Sequence, residues 1–276
     1  MLALVLLFCS HISAKEPGRL VDVGGRKMHI VCVGKGSPTV VFEAGMGDSW
    51  ETWSKVQRPI ARDYRTCAYD RAGFASSEPR KGRSIALLAE DLHAVLGAAG
   101  EKPPYVLVGH SLGGLIVRKF AAEHPAEVMG MVLVDSGHEE YLRRAPASAL
   151  EESARFLKTQ RAAYEKDKSE GVLRASVAWW EAKFEEWELP DIADAVPPDR
   201  RRIAVPLVVI TAGKRTKHSG RSEEAHAALV ALLEELQTEL ASRSPKSKHW
   251  HSATGHYVHH DQPAIVIDAI RWVASQ

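Results

Sequence analysis

The residues of this chain best suited to chemistry are a serine between glycines, a late histidine and an aspartate that ends an apolar run. The serine lies in Tyr105-Val106-Leu107-Val108-Gly109-His110-Ser111-Leu112-Gly113-Gly114. An aliphatic run stops at a glycine, the serine follows two residues later, and a helical apolar pattern starts at Leu115-Ile116-Val117. That order is strand, tight turn, helix, with Ser111 at the bend, where glycines leave room for the backbone to close. A helix beginning there points its free N–H groups at whatever charge develops on the serine. A serine hydroxyl barely ionises at neutral pH, so it attacks only with a base in reach. Of thirteen histidines, His256 is best placed, because it follows an expected strand over 248–253 in the loop Thr254-Gly255-His256.

An imidazole acting as base needs an acceptor that fixes its tautomer and stabilises its cation. Asp135 is the leading candidate, since it ends the strand expected over 131–134, directly after the serine's helix. Asp261 stands second, with a helix-capping role beside Pro263 as its simpler explanation, and Glu43 and Asp70 rank lower. The oxyanion formed on attack needs two backbone donors, here expected from the N–H groups of Leu112 and Met46. The glycines around Met46, in Gly45-Met46-Gly47, let that backbone approach closely. His249 and His251, two apart on a strand, suit a metal ion, but no third ligand is evident in the sequence, and neither metal nor cofactor is expected.

The elements that position these groups follow from periodicity. Strands are expected over 19–23 and 26–33 around the turn Gly24-Gly25, then over 39–42, 64–69, 105–108, 131–134, 205–211 and 248–253. Helices fall between them: one after Ser84, striped by Ile85, Leu88, Leu92, Val95 and Ala99, another over 222–240, and a last one over 264–274. Alternation of strand and helix predicts an α/β fold, a mostly parallel central sheet with helices on both faces and an antiparallel hairpin at one edge. Over 137–203 the alternation stops, and the stretch reads as an inserted helical cap dividing a core of 15–136 and 204–276. Leu173, Val177, Trp180, Phe184 and Trp187 share one helical stripe there. Trp180, Phe184 and Trp187 are candidates for lining an apolar substrate pocket, and packing of the cap is their plainer role.

The chain has 276 residues, 45% of them hydrophobic and 26% charged, as in a globular protein, and its formal net charge is +1. That balance gives no electrostatic reason to expect nucleic acid as partner. The opening Leu2-Ala3-Leu4-Val5-Leu6-Leu7-Phe8 is too short to cross a bilayer as a helix. Followed by Ile12-Ser13-Ala14, it reads as a secretory signal over 1–14 that lacks the usual basic start, which implies a secreted or periplasmic protein. A lipid anchor at Cys9 and a frayed start on a cytoplasmic enzyme are the alternatives. Cys32 and Cys67 each lie in a strand-like run and are expected as small core residues, with a disulfide between them left open.

Four motifs together resemble the α/β-hydrolase superfamily over nearly all the chain after the leader. They are Glu43-Ala44-Gly45-Met46-Gly47, Tyr69-Asp70-Arg71-Ala72-Gly73-Phe74-Ala75-Ser76, Gly109-His110-Ser111-Leu112-Gly113 and Gly255-His256. The resemblance implies a serine esterase with the triad Ser111, His256 and Asp135. Two departures stand out. Ala44 replaces the histidine that many relatives carry, and the loop after the 205–211 strand, Ala212-Gly213-Lys214-Arg215-Thr216-Lys217, lacks the carboxylate common there. Some haloalkane dehalogenases instead place their acid after the preceding strand, where Asp135 sits. Dehalogenases and epoxide hydrolases of this fold carry aspartate at the elbow, so Ser111 argues against both activities. The single-glycine oxyanion loop resembles that of esterases and lipases acting on esters of primary or secondary alcohols. A small-molecule ester is therefore the expected substrate. Amidase, lactonase or cofactor-free perhydrolase use of the same triad, or a non-catalytic ligand-binding role, are the alternatives.

Overall fold

In the computed structural model, residues 18–172, 175–189, 191–198, 201–217 and 221–276 are described. The leader expected over 1–14, Cys9 and Leu173 lie outside them. Short β-branched and aliphatic runs become strands: β1 (Arg19–Val23), β2 (Arg26–Val33), β3 (Thr39–Glu43), β4 (Arg65–Tyr69), β5 (Tyr105–His110), β6 (Val128–Val134), β7 (Leu207–Ala212) and β8 (Ser247–Ser252). They form one sheet in the order β1-β2-β4-β3-β5-β6-β7-β8. β1 and β2 pair antiparallel with each other and β2 with β4, while every pairing from β4 across to β8 is parallel.

Helices cover both faces: α1 (Ser54–Ile60), α2 (Ile85–Ala98), α3 (Leu112–Glu123), α4 (Tyr141–Arg144), α5 (Ala147–Glu170), α6 (Val177–Trp187), α7 (Glu223–Ser242), α8 (Val258–Asp261) and α9 (Pro263–Ala274). Successive strand residues point to opposite faces, so Val41, Leu107, Leu133 and Val209 pack with α2, α3 and α7. Val40, Val106, Val108, Val132 and Ile210 pack with α1 and α9 on the other side. The Ser84 hydroxyl accepts from Leu87 N–H at the start of α2, and the five stripe residues below it are buried. α4, α5 and α6 fall between β6 and β7.

Because β3, β5, β6, β7 and β8 run in parallel, their C-terminal ends meet at one edge. That edge carries the glycine loop after Glu43, then Ser111, Asp135, the loop from Gly213 and the loop holding His256. Ligands of open parallel sheets bind at that edge, where the loops converge.

Two expectations give way here. Cys32 and Cys67 are joined in a disulfide, because β2 and β4 pair in a register that sets them opposite each other with Cα atoms 4.1 Å apart. Asp261 does not cap α9. It ends α8, and Gln262 precedes Pro263, its side-chain oxygen accepting from the Ser252 hydroxyl at 2.9 Å.

Candidate active site

β5 lies between β3 and β6, and the chain leaves it through Ser111 at φ 51°, a backbone region that costs a non-glycine residue about 1–3 kcal/mol. The bend is held from several directions. Ser111 N–H donates to the Val134 carbonyl at 3.1 Å, and its own carbonyl accepts from Gly114 at 3.0 Å and Gly137 at 2.7 Å. A Cβ on Gly113 would lie 2.4 Å from the Glu43 carbonyl oxygen, so only glycine lets α3 start this close to the end of β3.

Asp135 leaves β6 in the same left-handed region, at φ 41°, with its N–H bonded to the Ile210 carbonyl at 2.7 Å. Its side chain is buried and fully engaged. Oδ1 accepts from Ala212 N–H at 3.1 Å, and Oδ2 from His256 Nδ1 at 2.5 Å. Arg215 adds a two-pronged bond, Nη1 to Oδ2 at 2.6 Å and Nη2 to Oδ1 at 2.5 Å. Burial disfavours the charged carboxylate, but the bonds from His256 and Arg215 outweigh it and hold Asp135 well below the usual carboxylate range. The structure thus brings His256 to Asp135 and not to Asp261, which is exposed.

With Nδ1–H committed to Asp135, the imidazole of His256 keeps Nε2 as its free base atom. The ring is fixed from behind, where His110 Nε2–H donates to the His256 carbonyl at 3.0 Å. Burial first, then the nearby His256, push His110 down to about 3, so it stays neutral. His259 packs against Trp53, with ring centroids 4.5 Å apart, and bonds the Thr52 hydroxyl at 2.9 Å. It is a core residue. The strand pair His249 and His251 does gain a carboxylate neighbour, Glu234 of α7, and the ligand atoms of all three lie within 4.8 Å of one another. His251 Nε2 already bonds Glu234 at 2.7 Å, and His249 Nε2 bonds the Thr211 hydroxyl at 2.7 Å.

Leu112 is the first residue of α3, so its N–H has no acceptor within the helix. Met46 follows β3 and, with Ser111 and Leu112, borders one cavity. The loop around Met46 is clamped by residues that spacing alone does not reveal. Arg71 donates to the carbonyls of Ala44 at 2.8 Å and Gly45 at 2.6 Å, to Glu43 at 2.8 Å, and to Glu186 of α6 at 2.7 Å. Glu186 in turn accepts from Gly47 N–H at 3.0 Å. Arg71, Glu43 and Glu186 are all buried. Burial works against the Arg71 charge, but Glu186 and Glu43 together hold it above the ordinary arginine value. Arg71 belongs to the motif after β4 and was visible as a motif residue. Glu186 and Arg215 carried no sequence signal beyond their charge.

Two cavities open at Ser111. One, of about 570 Å³, is largely apolar and is bordered by Met46, Leu115, Leu150, Leu157, Trp187 and Ile192. The other, of about 510 Å³, is bordered by Ser111, Asp135, Lys214, Arg215, Arg221 and His256, with a leucine face from α7 behind. Of the three aromatics expected at the pocket, Trp187 borders the apolar cavity. Trp180 and Phe184 stack on each other at 5.6 Å and meet Tyr164 of α5 tilted at 5.8 Å and edge-on at 5.6 Å respectively. The helical stripe that suggested a pocket is the seam between α5 and α6.

A family model described as the alpha/beta hydrolase fold matches residues 38–170. Over 243 residues the chain is 29% identical to the uncharacterized protein YqjL of Bacillus subtilis (strain 168), covering 86% of this chain and 83% of that one. It is 28% identical to epoxide hydrolase 4 of Homo sapiens over 142 residues, which covers 49% of this chain and 39% of that protein. The chain spans less than half the length of other curated relatives, 42% of one of them. Among solved structures, the enol-lactonase of Burkholderia xenovorans LB400 superimposes with a TM-score of 0.65 over 94% of this chain and 100% of that one, at 18% identity. Identity that low speaks to the fold alone. No helix among the described residues is long and apolar enough to cross a membrane.

Proposed function

We propose that this chain, as a member of the α/β-hydrolase superfamily, cleaves carboxylic esters through an acyl-enzyme on Ser111. The observation that carries this reading is the bond from His256 Nδ1 to buried Asp135, which leaves Nε2 beside the cavity that Ser111 also borders. In this mechanism Nε2 takes the Ser111 proton as Oγ attacks the ester carbonyl. Asp135 stabilises the imidazolium, and the N–H groups of Met46 and Leu112 receive the oxyanion. The imidazolium then gives its proton to the departing alcohol. Water, activated by the same nitrogen, releases the acid and restores Ser111. The chemistry needs no metal or cofactor.

Serine at the elbow separates this chain from epoxide chemistry. A hydroxyl that opened an epoxide would leave a serine ether, which has no carbonyl for water to attack, so the enzyme would stall after one turnover. A lactone is an ester closed into a ring and passes through the same steps. The fold likeness to an enol-lactonase makes lactones the second class to try. The largely apolar cavity beside Met46 suits the acyl chain, and the more polar one beside His256 the alcohol.

A fluorogenic ester tests the reading. The wild type should turn it over and be labelled by a phosphonate at Ser111, whereas Ser111→Ala should lose about six orders of magnitude in turnover. Equal hydrolysis by both proteins would remove the proposal. For location, the apolar run at 1–14 and the Cys32–Cys67 disulfide support an oxidising compartment outside the cytoplasm. Amino-terminal sequencing of the exported protein should begin near Lys15, and retention of the intact chain in the cytoplasm would argue otherwise.

A further inference from the structure

We propose that Arg215 is a positioning residue that holds Asp135 for His256 and divides the aspartate's charge between two partners. The inference rests on Asp135 being the acid of the triad. At the sheet edge the loop after β7, which lacks a carboxylate, supplies a guanidinium that grips the carboxylate one strand away.

The geometry carries the argument. Arg215 meets Asp135 with both prongs of its fork, at 2.5 and 2.6 Å, the arrangement that fixes a carboxylate's plane as well as its place. Oδ2 is the shared atom, since it also accepts from His256 Nδ1 at 2.5 Å. Among the described residues the one other donor to this carboxylate is Ala212 N–H, on Oδ1, which fixes one oxygen but not the plane. Without Arg215 the carboxylate gains freedom to turn, and the imidazole turns with it. The Arg215 charge also draws on the same negative charge that stabilises the His256 imidazolium, so the two cations compete for one carboxylate.

The other groups facing His256 leave this contribution uncovered. From β5 comes His110, whose Nε2–H is on the His256 carbonyl and which stays neutral. Asp48, on the loop before α1, is half-buried, and the loss of water around it holds its carboxyl above the ordinary value. Tyr257 adjoins the histidine, and His259 and His260 stand behind on α8, with His259 held neutral by burial. Lys214 and Arg221 border the same cavity, and Arg221 is paired with Glu152 at 2.7 Å. Among the described residues, Arg215 and His256 are the positively chargeable groups that touch Asp135.

The test compares wild type, Arg215→Gln, Arg215→Lys, Asp135→Asn and the double variant Asp135→Asn/Arg215→Gln on a fluorogenic ester from pH 4 to 9. Arg215→Gln should lower kcat about tenfold with KM little changed, and the acid limb of kcat/KM should move up by about one pH unit. Arg215→Lys, with charge but no fork, should restore the limb but not all of kcat. In the Asp135→Asn background Arg215→Gln should add nothing. A kcat and an acid limb both unchanged in Arg215→Gln would overturn the inference while leaving the esterase reading intact. So would losses that add fully in the double variant. Wild-type activity in Asp135→Asn would instead remove the triad assignment beneath it.

Discussion

Two arginine–carboxylate clasps flank Ser111, and they differ in how much water reaches them. On the side of the glycine loop, Arg71 is sealed between Glu43 and Glu186, all three at or below 2% exposure, and grips backbone carbonyls. On the other side Arg215 grips Asp135, yet the imidazole that completes the group is 44% exposed along its side chain. The difference follows from the tasks proposed for them. An oxyanion is stabilised by donors already fixed in place, so the loop that bears them gains from a dry, immobile support. A proton shuttle must meet substrate, leaving alcohol and water in turn, so its working atom stays open while its anchor is buried. Glu186 adds a second distinction, because it comes from α6 and ties the helical insertion directly to the glycine loop.

Removing a charge from each clasp would test that contrast. Asp135→Asn should lower turnover by about three to four orders of magnitude with the fold intact by circular dichroism, since asparagine favours the wrong tautomer of His256. Should that variant stay near wild type while Asp261→Asn collapses, the shuttle side has been assigned to the wrong carboxylate. Glu186→Gln should act on both stability and rate. Unfolding in urea should show a loss of about 3 kcal/mol, because Arg71 is left buried with half its compensation. Turnover should fall about a hundredfold as the glycine loop loosens. Destabilisation with kcat untouched would make this clasp a strut with no bearing on the oxyanion.

Acid should expose a smaller, shared weakness. His110 and His138 are held neutral, each pushed down to about 3 by burial first. An unfolded histidine takes up its proton near pH 6.5, so the unfolded chain binds more protons than the folded one from there down to about 3. Stability should therefore fall with pH through that window, by up to about 1.4 kcal/mol per pH unit for each histidine. Asp135 works at a lower pH. Its depressed folded value gives stability that is present above the ordinary carboxylate range and lost progressively as pH falls from that range to the folded value, in strong acid. Urea midpoints that stay level from pH 7 to 5 would show that the buried histidines do not govern acid sensitivity, and His110→Gln should flatten the slope if they do.

Much of the site was legible in the chain because its parts are local. The bend at Ser111 needs glycine at two offsets, and the strand and helix around it announce themselves by periodicity within twenty residues. His256 and Asp135 were readable as strand-end residues, since a parallel sheet delivers all its strand ends to one edge. What stayed open has one cause. For Trp180 and Phe184 a helical stripe shows that a face is buried but not against what, so pocket and packing both remain candidates until the structure sets them on α5. For Cys32 and Cys67 the sequence leaves core packing and a disulfide both open, because the register that sets them opposite depends on how β2 meets β4, not on either strand alone.

The order of residues by itself determined the strained serine, the glycines it requires, the alternation that builds a parallel sheet, and a loop after β7 with no acid in it. Those are properties of short segments, set by sterics and by side-chain period. Only the tertiary structure decided that Arg215 would reach back to Asp135, that Glu186 would lock the glycine loop, and that the two cysteines would join. Each of those contacts spans 35 residues or more, up to 139 between Gly47 and Glu186, and a charge or a thiol carries no record of its partner until packing brings the two together.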